Sequence, residues 1–182
     1  MKEQCLTRTP LRIGFLGGGS DLPIFTDKGF VGGCISVTID KYVYVWVRRR
    51  QDQQINVRYH ENEWVTDIGK LRNEYVREAL RWVNWNGGIE VCSSADVTLK
   101  ETGLGGSSSF LVGLLKALME LKGCKALKPS ELAEDAFRLE IGPLGKQIGR
   151  QDHYAAAFGG LKHYGFLGGA NVMITSFLLE DR

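Results

Sequence analysis

The sequence lacks the features that would assign it to several common classes of protein. Its 182 residues include four cysteines, at positions 5, 34, 92 and 124, and none of them forms a Cys-x-x-Cys pair. The three histidines, His60, His153 and His163, do not have the spacing of a metal site. With no signal peptide at the N terminus, this pattern predicts free thiols in a reducing, cytoplasmic environment.

Long apolar runs and a strong excess of charge are also missing. The longest apolar run is interrupted by Lys116, Glu120 and Lys122, so it falls short of the ~18 residues that a membrane span needs. The net charge of +2 is too small to indicate nucleic-acid binding. Arg48–Arg50 form a local basic spot, which we interpret as the solvated end of a strand. We therefore expect neither a membrane nor a nucleic acid as partner.

What is present is the composition and patterning of one globular domain, with 43% hydrophobic and 24% charged residues. A turn or bulge is expected at Asp40–Lys41, and the strand at 54–59 is expected to pair with the strand at 42–47. Ser130 is expected to cap the start of the helix over 131–141. The mixture of strands and helices predicts an α/β or α+β fold. Strands are predicted at 11–16, 34–39, 42–47, 54–59, 89–97, 161–166 and 171–177, and helices at 71–83, 107–122 (ended by Gly123), 131–141 and after Asp152 through Phe158.

The most informative stretch is GLGGSSSFLVGLLKALMEL, residues 103–121, in which glycines and serines precede an apolar helix. The first turn of a helix leaves backbone N–H groups unpaired and partly positive, so it suits an anion. Glycine allows a phosphate to approach the backbone closely. The stretch is neither a Walker A loop nor a Gly-x-Gly-x-x-Gly turn. From these residues alone, a phosphate cradle and a flexible loop before a core helix both remain open.

Two further stretches place a carboxylate beside small residues. In RTPLRIGFLGGGSDLP, residues 8–23, a strand runs into a glycine turn followed by Ser20 and Asp21. In GRQDHYAAAFGG, residues 149–160, Asp152 stands at the start of a helix. Each aspartate is either a ligand-binding group or a helix cap.

Glu140 extends an apolar stripe on the helix over 131–141. It shares one face of that helix with Ala133, Ala136 and Phe137. A carboxylate buried in this position would need a cation, whereas one at the fraying helix end would reach water. The sequence leaves both readings open.

Together, TPLRIGFLGGGSDLP, ETGLGGSSSF and GRQDHYAAAFGG resemble three motifs of the galactokinase–homoserine kinase–mevalonate kinase–phosphomevalonate kinase (GHMP) superfamily, in the same order. The first motif resembles the corresponding motif in one branch of the family. This branch contains the sugar-1-kinases for D-glycero-D-manno-heptose 7-phosphate and the kinase half of L-fucokinase. The likeness extends from about Arg8 to Phe166. It implies the ribosomal protein S5 domain 2-like α/β fold of the N-terminal GHMP domain.

The resemblance also implies roles for individual residues. It assigns Asp152 as the catalytic carboxylate, Arg12 as a basic group near the reacting oxygen, and Ser107 and Glu140 as ligands of Mg²⁺. Gly106 departs from the family pattern, which has a serine at this place, and Ser108 is expected to compensate. The ATP phosphates would contact Gly103, Leu104, Gly105, Gly106, Ser107, Ser108 and Ser109, and the sugar would contact Gly18, Gly19, Ser20 and Asp21.

A third glycine-rich motif, which the family carries in a C-terminal domain, does not occur in residues 1–182. We therefore expect the whole chain, 1–182, to correspond to the N-terminal, ATP-binding domain only. The last residues, LLEDR (178–182), do not resemble a closing element, and an incomplete sequence and a natural end remain open. We expect the chain alone to be a poor kinase. It should also self-associate through apolar surface that the second domain would cover.

The function implied is an ATP-dependent kinase acting on the anomeric hydroxyl of a sugar, with heptose 7-phosphate as the first candidate. An L-fucokinase-like specificity and a non-catalytic nucleotide- or sugar-binding module are the alternatives. A structural or RNA-associated role of the same fold is disfavoured by the near-neutral charge and the acidic site residues. A heptose phosphate would need basic residues for its distal phosphate, and Lys41, Arg48, Arg49, Arg50 and Arg150 are the candidates.

Overall fold

A seven-stranded mixed sheet forms the frame of the computed structural model, which describes residues 2–98 and 102–177. The strands are β1 (Gln4–Leu16), β2 (Gly32–Arg49), β3 (Ile55–Arg58), β4 (Asn62–Val65), β5 (Ile89–Ala95), β6 (Leu161–Phe166) and β7 (Val172–Ser176). Their order in the sheet is β4-β3-β5-β2-β6-β7, and β1 pairs with β2. Only β3 and β5 run parallel among these pairs. The sequence end at 178–182 lies outside the described residues.

The central strand β2 replaces the two separate strands predicted at 34–39 and 42–47. Its β1 partners shift register between Pro10, opposite Tyr42, and Arg12, opposite Thr38. Asp40 and Lys41 therefore lie in a β-bulge, as one of the two expected alternatives, and the chain does not turn there. The first part of β2 pairs with β6 and its second part with β5.

The expected pairing of segment 54–59 with β2 is wrong. β3 instead pairs in parallel with β5, with Ile55 opposite Ile89, and antiparallel with β4. β5 takes the position beside β2 because Ile89, Glu90 and Val91 are all buried, as in a strand covered on both sides. A local hairpin pattern cannot reveal this non-local insertion.

Residues 2–98 and 102–177 contain five α-helices: α1 (Pro23–Thr26), α2 (Glu74–Trp82), α3 (Gly106–Lys122), α4 (Pro129–Ile141) and α5 (Gln151–Phe158). α3 and α5 pack on β1 and β2, and α4 packs on α3 and α5. The core is centred on α3, in which Leu111, Leu114, Leu115, Leu118 and Leu121 are fully buried. Gly123 ends α3 at φ +80°, as predicted. None of the helices in the described ranges is both long and apolar enough to cross a bilayer.

The helix starts differ from the predicted ones by a few residues. α2 begins at Glu74 instead of 71, because Asn73 caps it by accepting the backbone N–H of Val76 at 3.1 Å. α4 begins at Pro129, so Ser130 is not its cap. Proline suits the first helical position, and the carboxylate of Glu131 accepts the backbone N–H of Lys128 at 2.7 Å.

Glu63 fastens the start of α2 to the sheet. This 5% exposed carboxylate accepts the backbone N–H groups of Arg72 at 2.6 Å and Asn73 at 3.0 Å, and the hydroxyl of Tyr59 at 2.8 Å. Burial raises the pKa of Glu63, but these hydrogen bonds outweigh it and leave the pKa below its ordinary value of 4.5. The carboxylate therefore stabilises the fold when it is ionised.

We expect Glu63→Gln to lower the free energy of unfolding by about 2 kcal/mol at pH 7, since an amide cannot accept from all three donors. Because the folded pKa lies below 4.5, the wild-type advantage is complete above that pH and disappears as the pH falls through the folded pKa. Urea unfolding at pH 7 and at stepwise lower pH measures the difference. A gap that stays constant over this range would contradict the role of the ionised carboxylate.

Candidate active site

The glycine–serine segment forms a tight loop that leads into α3. Gly103 and Gly105 have φ of +67° and +74°, in the left-handed region that favours glycine. Gly105 caps the helix, and its carbonyl accepts the N–H of Ser109 at 2.9 Å. The first-turn N–H groups of α3 therefore open beside this loop, in the arrangement that suits an anion.

The loop is fastened to β1 at three points. The backbone N–H of Arg12 donates to the carbonyl of Leu104 at 3.1 Å, and the Arg12 side chain donates to the carbonyl of Gly103 at 2.5 Å. The hydroxyl of Ser109 donates to the carbonyl of Pro10 at 2.9 Å. The glycine–serine loop is therefore held against strand β1 by these three hydrogen bonds.

Arg12 and Asp152 form an ion pair directly at this loop. The Arg12 Nε and Nη2 atoms lie 2.8 and 2.6 Å from Oδ1 of Asp152, and the two side chains are 13% and 28% exposed. The other oxygen, Oδ2, accepts no hydrogen bond from residues 2–98 or 102–177. A Cβ atom built on Gly105 would lie 3.3 Å from Oδ2, so this free oxygen faces the mouth of the loop.

Glu140 is buried at the base of the loop and is only 1% exposed. It accepts hydrogen bonds from Tyr75 Oη at 3.0 Å and Ser108 Oγ at 3.1 Å, and its Oε2 lies 2.7 Å from His153 Nε2. Burial raises the pKa of Glu140, but the interactions with His153, Tyr75 and Ser108 outweigh it, so the net pKa is lowered. Glu140 is therefore a buried anion that links α2, α3, α4 and α5.

The two serines at the start of α3 have different surroundings. Ser108 is 2% exposed and donates to Glu140. Ser107 is exposed and lies beside the phenol of Tyr75, at the edge of a cavity. Ser108 thus contacts Glu140 directly, and the role of Ser107 as a metal ligand stays a prediction.

The residues of the glycine turn hold the turn together. Ser20 Oγ donates to the carbonyl of Gly17 at 2.7 Å, and the backbone N–H of Gly33 donates to Ser20 Oγ at 3.0 Å. The Asp21 carboxylate accepts the N–H of Gly19 at 3.2 Å and the N–H of Gln151 at 2.8 Å. Asp21 is 5% exposed. It therefore caps α5, not the short helix that follows it in the chain.

Two cavities flank the loop. One of about 690 Å³ opens at Gly106 and Ser107 and is walled by Tyr59, His60, Tyr75, Val97 and Phe110, among others. A second of about 450 Å³ lies on the other side of the loop, between Gly103 and the glycine turn, and is lined by Arg12 and Gln151. Arg12 thus lines the smaller cavity, whereas Gly106 and Ser107, at the start of α3, line the larger and more apolar one.

Three residues of this site, Tyr75, Gln151 and His153, were not predicted as functional. Gln151 and His153 flank Asp152 in the chain, and this adjacency is the only signal that the sequence offers for them. Tyr75 reads as one apolar position of α2, and only the tertiary packing brings its hydroxyl to Glu140.

The basic residues proposed for a distal phosphate are mostly engaged elsewhere. Arg150 is 8% exposed and donates to Glu134 through Nε at 3.0 Å and Nη2 at 3.2 Å. Arg48–Arg50 lie at the far end of β2 from Gly33, which contacts the glycine turn. At about 3.3 Å per residue, that separation is on the order of 50 Å. Arg48, Arg49, Arg50 and Arg150 therefore do not serve the turn, and Lys41 stays a candidate.

The carboxylate and hydroxyl oxygens near the loop are of the kind that magnesium ions bind. Within residues 2–98 and 102–177, no group of three or more His, Cys, Asp or Glu side chains could form a metal cage. Mg²⁺ at phosphate sites needs no such cage, since one or two protein oxygens with phosphate oxygens and water suffice. A carboxylate offers about four acceptor sites. Glu140 uses three of them, and both Glu140 and Ser107 lie beside the hydroxyl of Tyr75.

Comparison with protein families identifies a match over residues 73–160, to the model of the GHMP kinases N terminal domain. The matched region contains the loop, Glu140 and Asp152. Arg12 and the glycine turn lie outside it.

Individual relatives extend the likeness to nearly the whole chain. The chain is 30% identical over 187 residues to D-glycero-alpha-D-manno-heptose 7-phosphate kinase of Campylobacter jejuni. This match covers 96% of the chain and 54% of the relative. A crystal structure of a D-glycero-D-manno-heptose 1-phosphate kinase from Bacteroides thetaiotaomicron superposes with a TM-score of 0.86 and 26% identity, over 96% of this chain and 60% of the other. The chain thus spans little more than half the length of these relatives.

Galactokinase of Lactococcus lactis, solved with galactose, shares the fold at a TM-score of 0.77 and 19% identity. This match covers 99% of the chain and 49% of the galactokinase. The α/β arrangement expected from the sequence motifs is therefore confirmed.

Proposed function

We propose that the chain carries a GHMP kinase N-terminal domain and that it is the ATP- and acceptor-binding half of a sugar kinase. Residues 1–182 would form this half, and a second domain would complete the cleft. One observation carries the proposal: the Arg12–Asp152 ion pair lies against Gly105 of the loop, and Arg12 also lines the cavity of about 450 Å³ beside the glycine turn. A catalytic carboxylate is needed where a phosphate and an acceptor hydroxyl meet.

The loop is suited to hold the phosphates of ATP. Phosphoryl transfer requires positioning and charge neutralisation more than covalent chemistry. The backbone of Gly103–Gly106 and the N–H groups of Ser107 and Ser108 would supply donors toward the β- and γ-phosphates. Ser109 donates its N–H to Gly105 and its hydroxyl to Pro10, so it supports the loop and is not a free donor. The cavity of about 690 Å³ beside Gly106 has the aromatic walls that a nucleoside needs, with Tyr59, Tyr75 and Phe110.

Asp152 and Arg12 would act on the acceptor hydroxyl. The free Oδ2 of Asp152 can accept the hydroxyl proton, or orient the hydroxyl toward the γ-phosphate. Arg12 holds Oδ1 through two N–H groups, which fixes the carboxylate rotamer and leaves Oδ2 directed at the loop. The guanidinium also places positive charge near the transferring group.

Ser107 and Glu140 are the residues that would hold magnesium. When bound, a magnesium ion neutralises charge on the phosphate oxygens. Glu140 is already ionised and anchored by Tyr75 and His153, so it is a fixed negative charge below the loop.

We propose heptose 7-phosphate as the acceptor, phosphorylated at its anomeric hydroxyl to the 1,7-bisphosphate. The name of the Campylobacter relative supports this choice, whereas the Bacteroides structure is named as a heptose 1-phosphate kinase. An L-fucokinase-like specificity is the enzymatic alternative. The two differ in whether the acceptor must already carry a phosphate.

A non-catalytic module is the alternative from another class, because the chain covers only 54% of the Campylobacter relative. Large apolar side chains are exposed around the glycine turn and β7, including Phe15, Leu16, Ile24, Phe30 and Met173. We propose that a second domain covers this surface in the complete kinase. Without it, self-association is the expected result, and sedimentation velocity of the chain measures it.

Calorimetric titration with MgATP tests the nucleotide half of the proposal. We expect the chain to bind MgATP and Gly105→Val to lose at least about 1.4 kcal/mol of binding free energy, a tenfold change. A valine cannot adopt the φ of +74° without strain, and its Cβ would press on Asp152 and Arg12. Gly169→Val, at a positive φ of +55° on an open turn before β7, is the matched control for strain alone. Equal MgATP binding by all three proteins, or none by the wild type, would contradict the proposal.

A further inference from the structure

Gln151 lines the cavity between the loop and the glycine turn, and the proposed mechanism does not use its side chain. The residue is 6% exposed and lines the cavity of about 450 Å³ together with Arg12, Gly17 and Gly18. Its backbone N–H is taken by Asp21. Its carboxamide group makes no hydrogen bond with any residue in the ranges 2–98 and 102–177.

The amide of Gln151 opens into this cavity. Although the residue is almost wholly buried, neither amide atom is among the fully buried side-chain atoms that lack a hydrogen-bond partner, so both atoms reach the cavity space. Such groups bond to water in solution, and a ligand that displaces the water has to replace those hydrogen bonds. The amide is therefore placed to contact a ligand that fills the cavity.

The amide of Gln151 lies where a bound acceptor sugar would reach it. A Cβ atom built on Gly14 would lie 3.0 Å from Nε2 of Gln151, and one built on Gly18 would lie 4.0 Å from its Oε1. The amide thus lies under the turn, one residue along α5 from Asp152. A sugar whose reacting hydroxyl contacts Asp152 would therefore present its neighbouring hydroxyls to the amide of Gln151.

The carboxylate of Asp21, which follows the glycine turn, is already fully hydrogen-bonded to the backbone. Both of its oxygens accept backbone N–H groups, and a Cβ on Gly149 would fall only 1.9 Å from Oδ2, so the carboxylate has no room to turn toward a ligand. Asp21 holds Gln151 in place and does not face the cavity.

We propose that Gln151 recognises the acceptor by hydrogen bonds to sugar hydroxyls, and that Asp21 only positions it. The inference rests on the proposed function and names the group that selects the acceptor. A carboxamide offers two N–H donors and a carbonyl acceptor, so it complements adjacent hydroxyl groups, which both donate and accept. The ligand class is therefore the polyhydroxylated part of a sugar, not its phosphate.

Gln151→Met tests this assignment, because methionine keeps the length and removes the amide. The probes are heptose 7-phosphate and L-fucose, titrated into the full chain and followed by ligand-observed NMR. We expect at least a tenfold loss of affinity for the bound sugar, with MgATP affinity unchanged. In the absence of sugar, the melting temperature of Gln151→Met should equal or exceed that of the wild type, since the amide has no partner there. Gln51→Met, on the exposed turn after β2, is the control and should change neither property.

The outcomes separate this inference from the proposed function. Sugar binding by the wild type that Gln151→Met leaves intact would overturn the role of Gln151 and leave the kinase proposal standing. A lower melting temperature of Gln151→Met without sugar would show that the amide has a structural partner, which also overturns the inference. MgATP binding with no binding of either sugar by the wild type would overturn the acceptor site itself, and the inference with it.

Discussion

Replacing Asp152 with asparagine is expected to reduce phosphoryl transfer by about 10²–10⁴-fold, the range typical of a lost general base. The amide has the same shape and its oxygen can still accept from Arg12, so the loop and the ion-pair geometry change little. Asparagine cannot take the proton of the acceptor hydroxyl. MgATP affinity should therefore stay within about twofold of the wild type, a difference below 0.5 kcal/mol.

The comparison is made in a form that transfers phosphate, with the chain joined to whatever coding sequence follows it if the chain alone is inactive. Asp52→Asn, at an exposed aspartate on the turn after β2, serves as the control and should keep full activity. Unchanged turnover in Asp152→Asn would reject this residue as the base. Loss of MgATP binding together with turnover would instead indicate a role in nucleotide binding.

Gly149→Ala is expected to destabilise the site strongly. Its Cβ would lie 1.9 Å from Oδ2 and 2.1 Å from Cγ of Asp21, whose carboxylate is held by the N–H groups of Gly19 and Gln151. Relief requires breaking these hydrogen bonds or moving the start of α5. We expect a loss of about 3 kcal/mol in the free energy of unfolding. This corresponds to a fall of roughly 6–12 °C in melting temperature.

Gly18→Ala is the matched control, because a Cβ there meets only Gln151 Oε1 at 4.0 Å. It should leave the melting temperature nearly unchanged. Calorimetric melting of the three proteins decides the question. Equal melting temperatures for Gly149→Ala and the wild type would mean that Asp21 does not clamp α5 as described.

Much of the site could be predicted from local sequence. The glycines at 103 and 105, the apolar helix behind them and Gly123 at its end follow from backbone conformation and helix capping. Glu140 was recognisable as a carboxylate in an apolar stripe that was either buried or solvated at the helix end. The structure shows that it is buried, with only 1% of the residue exposed. These features depend on residues within about one or two helical turns of each other.

The rest depends on contacts between distant residues. A capping role for Asp21 was expected, but its partner, the N–H of Gln151, lies 130 residues away and on a different helix. The parallel pairing of β3 with β5 and the contacts of Tyr75 and His153 with Glu140 are equally non-local. Side chains that complete a buried cluster look like ordinary core positions until the elements are packed.

The most direct test is transfer of labelled phosphate from MgATP to heptose 7-phosphate and to L-fucose. It is run on this chain and on a version extended by the coding sequence that follows it. We predict transfer by the extended version, at the anomeric hydroxyl and faster with heptose 7-phosphate, and little or none by the chain alone. Full activity of the monomeric chain would contradict the need for a second half. MgATP binding without transfer in either form would contradict the kinase assignment and favour a binding module.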